Sequence, residues 1–314
     1  MRAIVMKSFG GPEVLHITKT PDVTPPRAHR VISVRKAGLN FADVHVRTGT
    51  YLADVELPYT PGNEVMGIDD QGQRVVALTR GGGYAEQVAA HRLTTWAVPD
   101  GISDEQALAL TLQGNTAWHL LYTCVGLTAS DTVVIPAAAG GLGTLAVQLA
   151  ARTGANVIGL ASTPERRGLA TQLGASAVVD SRADDLTQAV LDAAGGPVTA
   201  VLEMTGGRVH KELLATLAPL GRMAVYGYAS GEPAPATGRM ILERSLTVRG
   251  LWLPHLYAVR GALTESMTAL FEATAAGTLR PIIGQQWPLE QAADAHHALE
   301  SRTVTGKAML HVSS

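Results

Sequence analysis

The sequence predicts an α/β protein in which a doubly wound parallel sheet adjoins an irregular, β-rich domain, and three observations predict it. From residue 130 to about 252, short β-branched runs alternate with helical stretches, the pattern of successive βαβ units. Early in that region Val133-Val134-Ile135-Pro136-Ala137-Ala138-Ala139-Gly140-Gly141-Leu142-Gly143 leads straight into Thr144-Leu145-Ala146-Val147-Gln148-Leu149-Ala150, a buried strand, a glycine turn and a helix in succession. Residues 1 to about 115 read differently, with short strands broken by Gly10-Gly11-Pro12, Pro25-Pro26 and Pro61-Gly62.

In chain order, the first region predicts strands at 30–37 and 73–78. The alternating region predicts strands at 132–137, 156–160, 177–180, 198–203, 222–227 and 246–251, with helices near 142–152, 165–173, 183–194 and 207–217 between the first five. Six strands fit two mononucleotide-binding halves. From about 253 the pattern gives a helix at 260–276, a strand near 282–283, a helix at 289–299 and a strand at 307–312, a tail expected to complete the first domain. At 314 residues the chain exceeds the usual size of one core, so two domains are expected: 1–115 with 253–314, and 116–252.

Ala138, Gly140 and Gly143 fall at the spacing of the G-x-G-x-x-G fingerprint, with Ala in the first slot. The middle glycine lets backbone N–H groups approach a pyrophosphate, and the last lets the helix pack on the strand. The helix N-terminus adds partial positive charge. A glycine-rich turn alone is also ordinary loop chemistry; the strand before it and the helix after it favour a dinucleotide. The end of the second strand bears on which one. A ribose 2′-hydroxyl calls for an Asp or Glu about twenty residues past the glycines, and the chain has Ser162-Thr163-Pro164-Glu165-Arg166-Arg167 instead. A guanidinium pairs bidentately with phosphate oxygens, which suits the 2′-phosphate of NADPH. The same residues also read as a helix start, with Thr163 as N-cap, Pro164 at the first position and both arginines simply solvated.

The balance of 46% hydrophobic and 17% charged residues describes a soluble globular protein, expected to be cytoplasmic for want of a signal peptide or membrane span. A net charge of −2, with no Lys/Arg run longer than two, leaves no footprint for a nucleic acid. No stretch of eighteen apolar residues provides a membrane span, and the N-terminus lacks a signal peptide's apolar run. Cys124 is the only cysteine and sits in an apolar run, where an inert buried thiol is the expectation. His296 and His297 are neighbours on a helix and point about 100° apart, unlike a helical zinc pair. No metal is expected.

Taken as a whole, the chain resembles the zinc-free quinone oxidoreductases of the medium-chain dehydrogenase/reductase superfamily. The matching segments are Gly10-Gly11-Pro12-Glu13-Val14-Leu15, Gly38-Leu39-Asn40-Phe41-Ala42-Asp43, Pro61-Gly62-Asn63-Glu64, Gly82-Gly83-Tyr84-Ala85-Glu86, Leu112-Gln113-Gly114-Asn115-Thr116-Ala117, the glycine turn, and Leu299-Glu300-Ser301-Arg302, in the family's order. The resemblance implies a Rossmann domain joined to a GroES-like catalytic domain. Where zinc-bearing relatives carry a metal-binding cysteine and a Gly-His-Glu, this chain has Asn40 and Gly62-Asn63-Glu64. Without a Lewis acid, the hydride acceptor must already be electrophilic, as a quinone or a conjugated enone is.

Carried over by position, the resemblance implies that Asn40 lies by the nicotinamide ribose and Thr116 near the carboxamide. Gly140, Gly141, Leu142 and Gly143 cradle the pyrophosphate, and Ser162 and Arg166 face the 2′-phosphate. Gly227, Tyr228, Ala229 and Ser230 form the loop beneath the nicotinamide half, and Arg302 reaches the coenzyme from the tail. Read without the resemblance, Asn40 is a turn cap, Thr116 a helix residue and Arg302 a surface charge. His45, His119 and Ser181 depart from the residues that relatives often carry, which leaves the acceptor open. Tyr51 is the first candidate to hydrogen-bond the acceptor oxygen, and His45 the alternative proton source. The expected activity is NADPH-dependent reduction of a quinone or similar conjugated carbonyl. The rival readings are an enoyl-thioester or enone reductase and a non-catalytic NADPH-binding sensor. The resemblance also implies a homodimer.

Overall fold

The structure, a computed structural model, describes residues 1–233 and 235–312. The chain divides into two compact units, Met1–Gln113 with the segment from Tyr257 onward, and Gly114–Leu256. The sequence divides at 115 and 253. The difference at the second boundary is the 3-10 turn Leu253–Leu256, which stays with the central unit.

The first unit opens with β1 (Arg2–Val5) and β2 (His16–Lys19), an antiparallel pair. Then come β3 (His29–Gly38), α1 (Phe41–Thr48), β4 (Glu64–Asp69), β5 (Arg74–Leu78), β6 (Gln87–His91), β7 (Thr95–Ala97) and α2 (Asp104–Ala109). Helix α1, which the strand and glycine pattern did not announce, starts at half of a capping box: the Asn40 N–H donates to Asp43 Oδ2 at 2.9 Å, while the Asp43 N–H bonds the Asn40 backbone carbonyl at 2.9 Å and the Asn40 side chain makes no cap bond. It ends at Gly49 with φ +71°, the left-handed C-cap that glycine adopts without strain.

Leu110–Gly114, with which the first unit's opening segment ends, and His119–Cys124 in the central unit wind as π-turns on either side of α3 (Asn115–Trp118). The sheet follows as β8 (Thr132–Ile135), α4 (Gly141–Thr153), β9 (Asn156–Ala161), α5 (Pro164–Gln172), β10 (Ala177–Asp180), α6 (Leu186–Ala194), β11 (Val198–Glu203), α7 (Gly207–Thr216), β12 (Leu217–Val225), α8 (Gly238–Arg244) and β13 (Thr247–Gly250). Every pairing is parallel, in the order β10-β9-β8-β11-β12-β13. This is the doubly wound order with its reversal between β8 and β11, where such sheets bind ligands beyond the strands' carboxyl ends. Val134, Ile158, Leu160, Val201, Leu213 and Met223 fill its core. Two expectations shift. The first strand stops at Ile135, because Ala137 takes φ +48° to begin the turn, and the fifth starts at Leu217, directly after α7.

The tail returns to the first unit with α9 (Ala262–Ala275), β14 (Ile283–Pro288), α10 (Ala292–Glu300) and β15 (Lys307–His311). Strand β15 pairs antiparallel with β3, so a seven-stranded sheet is assembled from both ends of the chain in the order β14-β15-β3-β4-β5-β7, with β6 also on β3. Ile32, Val34, Leu39, Val65, Leu289 and Leu310 form its core. No helix among the described residues is long and apolar enough to cross a membrane.

Candidate functional site

The glycine turn sits at the carboxyl end of β8, on one side of the reversal. The Gly140 N–H bonds back to the Ala137 carbonyl at 2.8 Å, and a Cβ on Gly143 would collide with that same carbonyl, so only glycine lets α4 start this close to the turn. Gly140 is the N-cap and has no side chain to bond the first turn, whereas Thr163, Asp185 and Thr237 cap α5, α6 and α8. The N–H groups of Gly141, Leu142 and Gly143 therefore face outward with the positive end of the helix dipole, the donor set a pyrophosphate needs.

At the carboxyl end of β9, the two arginines part company. Arg167 is held within the fold, its Nη1 donating to the Ala161 carbonyl at 3.1 Å and pairing with Asp180 at 2.9 Å. Arg166 instead lies over Ser162, Nη1 to Oγ 3.5 Å. Thr163 caps the helix through the Arg166 N–H, as its alternative reading expected. The N-cap and the Ser162–Arg166 pair thus coexist.

Across the reversal, Glu203 ends β11 and is wholly buried. Its carboxylate accepts the N–H groups of Thr205 at 2.6 Å and Gly206 at 3.2 Å, and Nδ1 of His210 lies 3.1 Å away. The loop 227–230 is then stitched to this turn, since the Ala229 N–H reaches the Met204 carbonyl and the Ser230 N–H the Thr205 carbonyl, both at 2.8 Å. Gly227 and Tyr228 lie in that loop, and Thr116 is buried on α3. Sequence reading missed Glu203; as the last residue of a buried strand, it resembles core until its turn is seen.

The first unit holds a buried polar network that the sequence did not show as a unit. Asn40 Nδ2 donates to Glu64 Oε1 at 2.7 Å, and Asn40 Oδ1 accepts from Gln113 Nε2 at 3.1 Å and Lys307 Nζ at 3.2 Å. Glu64 also accepts the Leu112 N–H at 2.9 Å and is ion-paired with Lys307. Asn63 Nδ2 donates to Asp43 Oδ1 at 2.9 Å. Both asparagines at the positions matching zinc ligands are thus committed to carboxylates of the fold. One amide hydrogen on Asn40 Nδ2 remains after these bonds. Among the described residues, no three His, Cys, Asp or Glu side chains converge as a metal site.

His45 is half-buried on α1 with Nδ1 2.9 Å from the Thr50 hydroxyl, and burial pushes its imidazole below the usual histidine range. A neutral imidazole is the weaker proton source near neutrality. Tyr51, three residues past the helix, belongs to a group of phenols with Tyr59 and Tyr257, whose pKa values it raises electrostatically. Burial is the larger cause, pushing Tyr59 up to about 12 and Tyr257 higher, so both remain O–H donors. Arg80 stacks over the Tyr257 ring at 5.8 Å. Arg302 follows α10 in the left-handed conformation, φ +55°, its N–H closing the helix on the Leu299 carbonyl at 3.0 Å and its side chain exposed.

The chain is similar to known proteins along essentially its whole length. Residues 141–272 match a family model described as zinc-binding dehydrogenase, a span that begins at the glycine turn and contains neither Asn40 nor Asn63. The quinone oxidoreductase of Lama guanicoe is 32% identical over 99% of this chain and 97% of its own length. Among solved structures, the Escherichia coli quinone oxidoreductase complexed with NADPH superposes with a TM-score of 0.94 at 29% identity, over 99% of this chain and 100% of that one. The quinone oxidoreductase from Thermus thermophilus, solved also in its complex with NADPH, gives 0.87 at 35% identity over 99% and 100%.

Proposed function

The chain belongs to the zinc-independent quinone oxidoreductase group of the medium-chain dehydrogenase/reductase superfamily, and from that premise we propose that it is an NADPH-dependent oxidoreductase whose acceptor is a quinone or similar conjugated carbonyl. The observation that carries the reading is the open first turn of α4 at the sheet's reversal, a cradle of glycine N–H donors with no side chain of its own to fill it. When bound, NADPH supplies a hydride from its nicotinamide C4.

The protein's part is binding, orientation and proton supply. Gly141, Leu142 and Gly143 hold the pyrophosphate through backbone N–H groups, and Gly140, its own N–H turned to Ala137, completes the cradle by letting the phosphates approach without a side chain in the way. Ser162 and Arg166 hold the 2′-phosphate, a charge-assisted pairing that Arg167, bound to Asp180, does not share. The loop Gly227, Tyr228, Ala229 and Ser230, fixed by the Glu203 turn, supports the nicotinamide half, with Thr116 toward the carboxamide and Arg302 closing from the tail. Asn40 donates its remaining amide hydrogen to the nicotinamide ribose. Tyr51 donates to the acceptor oxygen, and its neighbours Tyr59 and Tyr257 stay protonated beside it. The asparagines at the positions matching zinc ligands leave polarisation of the acceptor to hydrogen bonds, which suits an already electrophilic carbonyl.

Steady-state NADPH oxidation with a panel of quinones, enones and enoyl thioesters tests the proposal. Turnover highest with quinones is expected. Preference for a thioester would move the assignment to carbon-carbon double-bond reduction, and no turnover with any acceptor would leave a coenzyme-binding protein.

A further inference from the structure

Arg47 is fully buried in the first unit and always protonated, so its Nη1, 3.4 Å from His296 Nδ1, can only donate. That makes Nδ1 the acceptor and puts the His296 proton on Nε2. Nε2 lies 3.2 Å from the Tyr84 hydroxyl and donates to it, and the hydroxyl donates onward to Asp43 Oδ2, also at 3.2 Å. The same Oδ2 takes the Asn40 N–H, and Oδ1 takes the Asn63 amide. Every group reaching Asp43 is a donor.

We propose that Asp43 is a positioning residue for Asn40, locked as a hydrogen-bond acceptor by Arg47, His296 and Tyr84, so that protonation of this one carboxyl unseats Asn40. A proton on Asp43 needs an acceptor: Asn63 supplies one only by turning its amide over, which withdraws the donor from Oδ1, and the other group able to reverse is Tyr84. Reversal would require His296 to accept at Nε2 and carry its proton on Nδ1, against the guanidinium of Arg47. The added proton therefore displaces the Asn40 N–H or the Asn63 amide, and either loss loosens the start of α1.

The other charged and titratable groups near Asp43 are consistent with this. His45 and Arg47 share its helix, Glu64 begins β4, Lys307 lies on β15, and His296 and Glu300 lie on α10, with Glu300 bonded to Arg47 at 2.5 Å. Tyr59 and Tyr84 stay protonated. Burial pushes Asp43 up to about 7; the Asn40 N–H and then Lys307 oppose the rise, Glu64 adds to it and the Tyr84 hydroxyl opposes it. Burial, then Arg47, pushes His296 down to about 3, so the imidazole stays neutral while Asp43 titrates.

This inference rests on the reading that Asn40 meets the coenzyme, and the experiment separates the two. Infrared titration of the protein without coenzyme follows the C=O stretch of a protonated buried carboxyl. A band rising with a midpoint near neutrality is expected, absent from Asp43→Asn and shifted to higher pH in Tyr84→Phe, which removes one donor. Fluorescence titration should show NADPH binding weakening on the order of 3- to 10-fold over the same range, about one hydrogen bond, with Asp43→Asn held at a weak, pH-independent value. No such band, a midpoint unmoved by Tyr84→Phe, or binding that stays flat while the band titrates overturns the proposal. Asn40→Ala binding NADPH as tightly as the wild type would instead overturn the assignment of Asn40 to the coenzyme. Asn40→Ala binding weakly, beside a flat wild-type profile, would overturn the gating alone.

Discussion

The ammonium of Lys307 and the carboxylate of Glu64 form an ion pair shut off from solvent, 1% and 0% exposed, between two strands 243 residues apart in sequence. The pair is completed by the Leu39 carbonyl and Asn40 Oδ1 on the ammonium and the Leu112 N–H on the carboxylate. A buried pair of this kind adds little over an apolar replacement, but removing one partner strands a charge.

Lys307→Met alone should therefore destabilise the protein by about 3–5 kcal/mol. The double variant Lys307→Met with Glu64→Gln should recover a substantial part of the loss. Urea denaturation of the two variants and the wild type decides; a single variant within about 0.5 kcal/mol of the wild type would show that the pair is not the tie described.

Arg166→Ala should weaken NADPH binding far more than NADH, by about 1.5–3 kcal/mol, the range for a charge-assisted hydrogen bond. Arg167→Ala should show no such selectivity, because Arg167 is spent on Asp180 and the Ala161 carbonyl. Equal losses for both coenzymes in Arg166→Ala would remove the 2′-phosphate from this site.

These two sites also mark how far the sequence could be read. The parallel sheet was legible because buried strands such as Val133-Val134-Ile135 are continuous β-branched runs between helices, and the glycine turn because its spacing is local. Ser162 and Arg166 lie four residues apart across the start of α5 and were legible for the same reason. Helix α8 was missed because it is only seven residues long and half-buries just Met240 and Ile241 against the core, too short a run to show a helical period. Glu64, Lys307, Tyr84 and His296 meet only when β15 pairs with β3 and α10 folds against α1. No local spacing records contacts separated by 212 and 243 residues.

Activity should not depend on a metal, since Asn40 and Asn63 point their amides at Glu64 and Asp43 and Lys307 already neutralises that corner of the fold. Treatment with a strong chelator should leave turnover unchanged, and elemental analysis should find no stoichiometric zinc. Activity lost to the chelator and restored by added zinc would contradict this.

Asp43 and His296 should leave opposite marks on stability. Between the unfolded carboxyl value near 4 and about 7, folded Asp43 holds a proton that the unfolded chain has released, so its contribution is lost as pH rises. Between about 3 and the unfolded imidazole value near 6.5, the unfolded chain holds a proton that folded His296 lacks, so its contribution is lost as pH falls. Over the shared window the two slopes cancel. The stability of Asp43→Asn relative to the wild type should therefore climb with pH by about 1.4 kcal/mol per unit there, and that of His296→Gln should fall by a similar amount. Differences that stay constant across the window would refute both assignments.

Strand β13 closes one edge of the parallel sheet, bonded among the described residues to β12 on one side only, with Thr247, Arg249 and Gly250 exposed. An open edge offers unpaired N–H and C=O groups to another chain, and proteins often blunt such edges with a charge. Arg249 is the residue placed to do so, yet its guanidinium turns back to the Thr123 carbonyl at 2.7 Å and is engaged within its own unit. A two-fold axis beside β13 sets the same edge antiparallel to itself and satisfies both copies at once, the closed contact of an isologous dimer. A homodimer is therefore expected. Light scattering at micromolar concentration should give twice the 32.8 kDa of one chain, and Val248→Pro, which removes an N–H from this strand, should shift the mass toward that of a monomer. A wild-type mass near that of a single chain would leave β13 as a solvated edge and rule out the dimer.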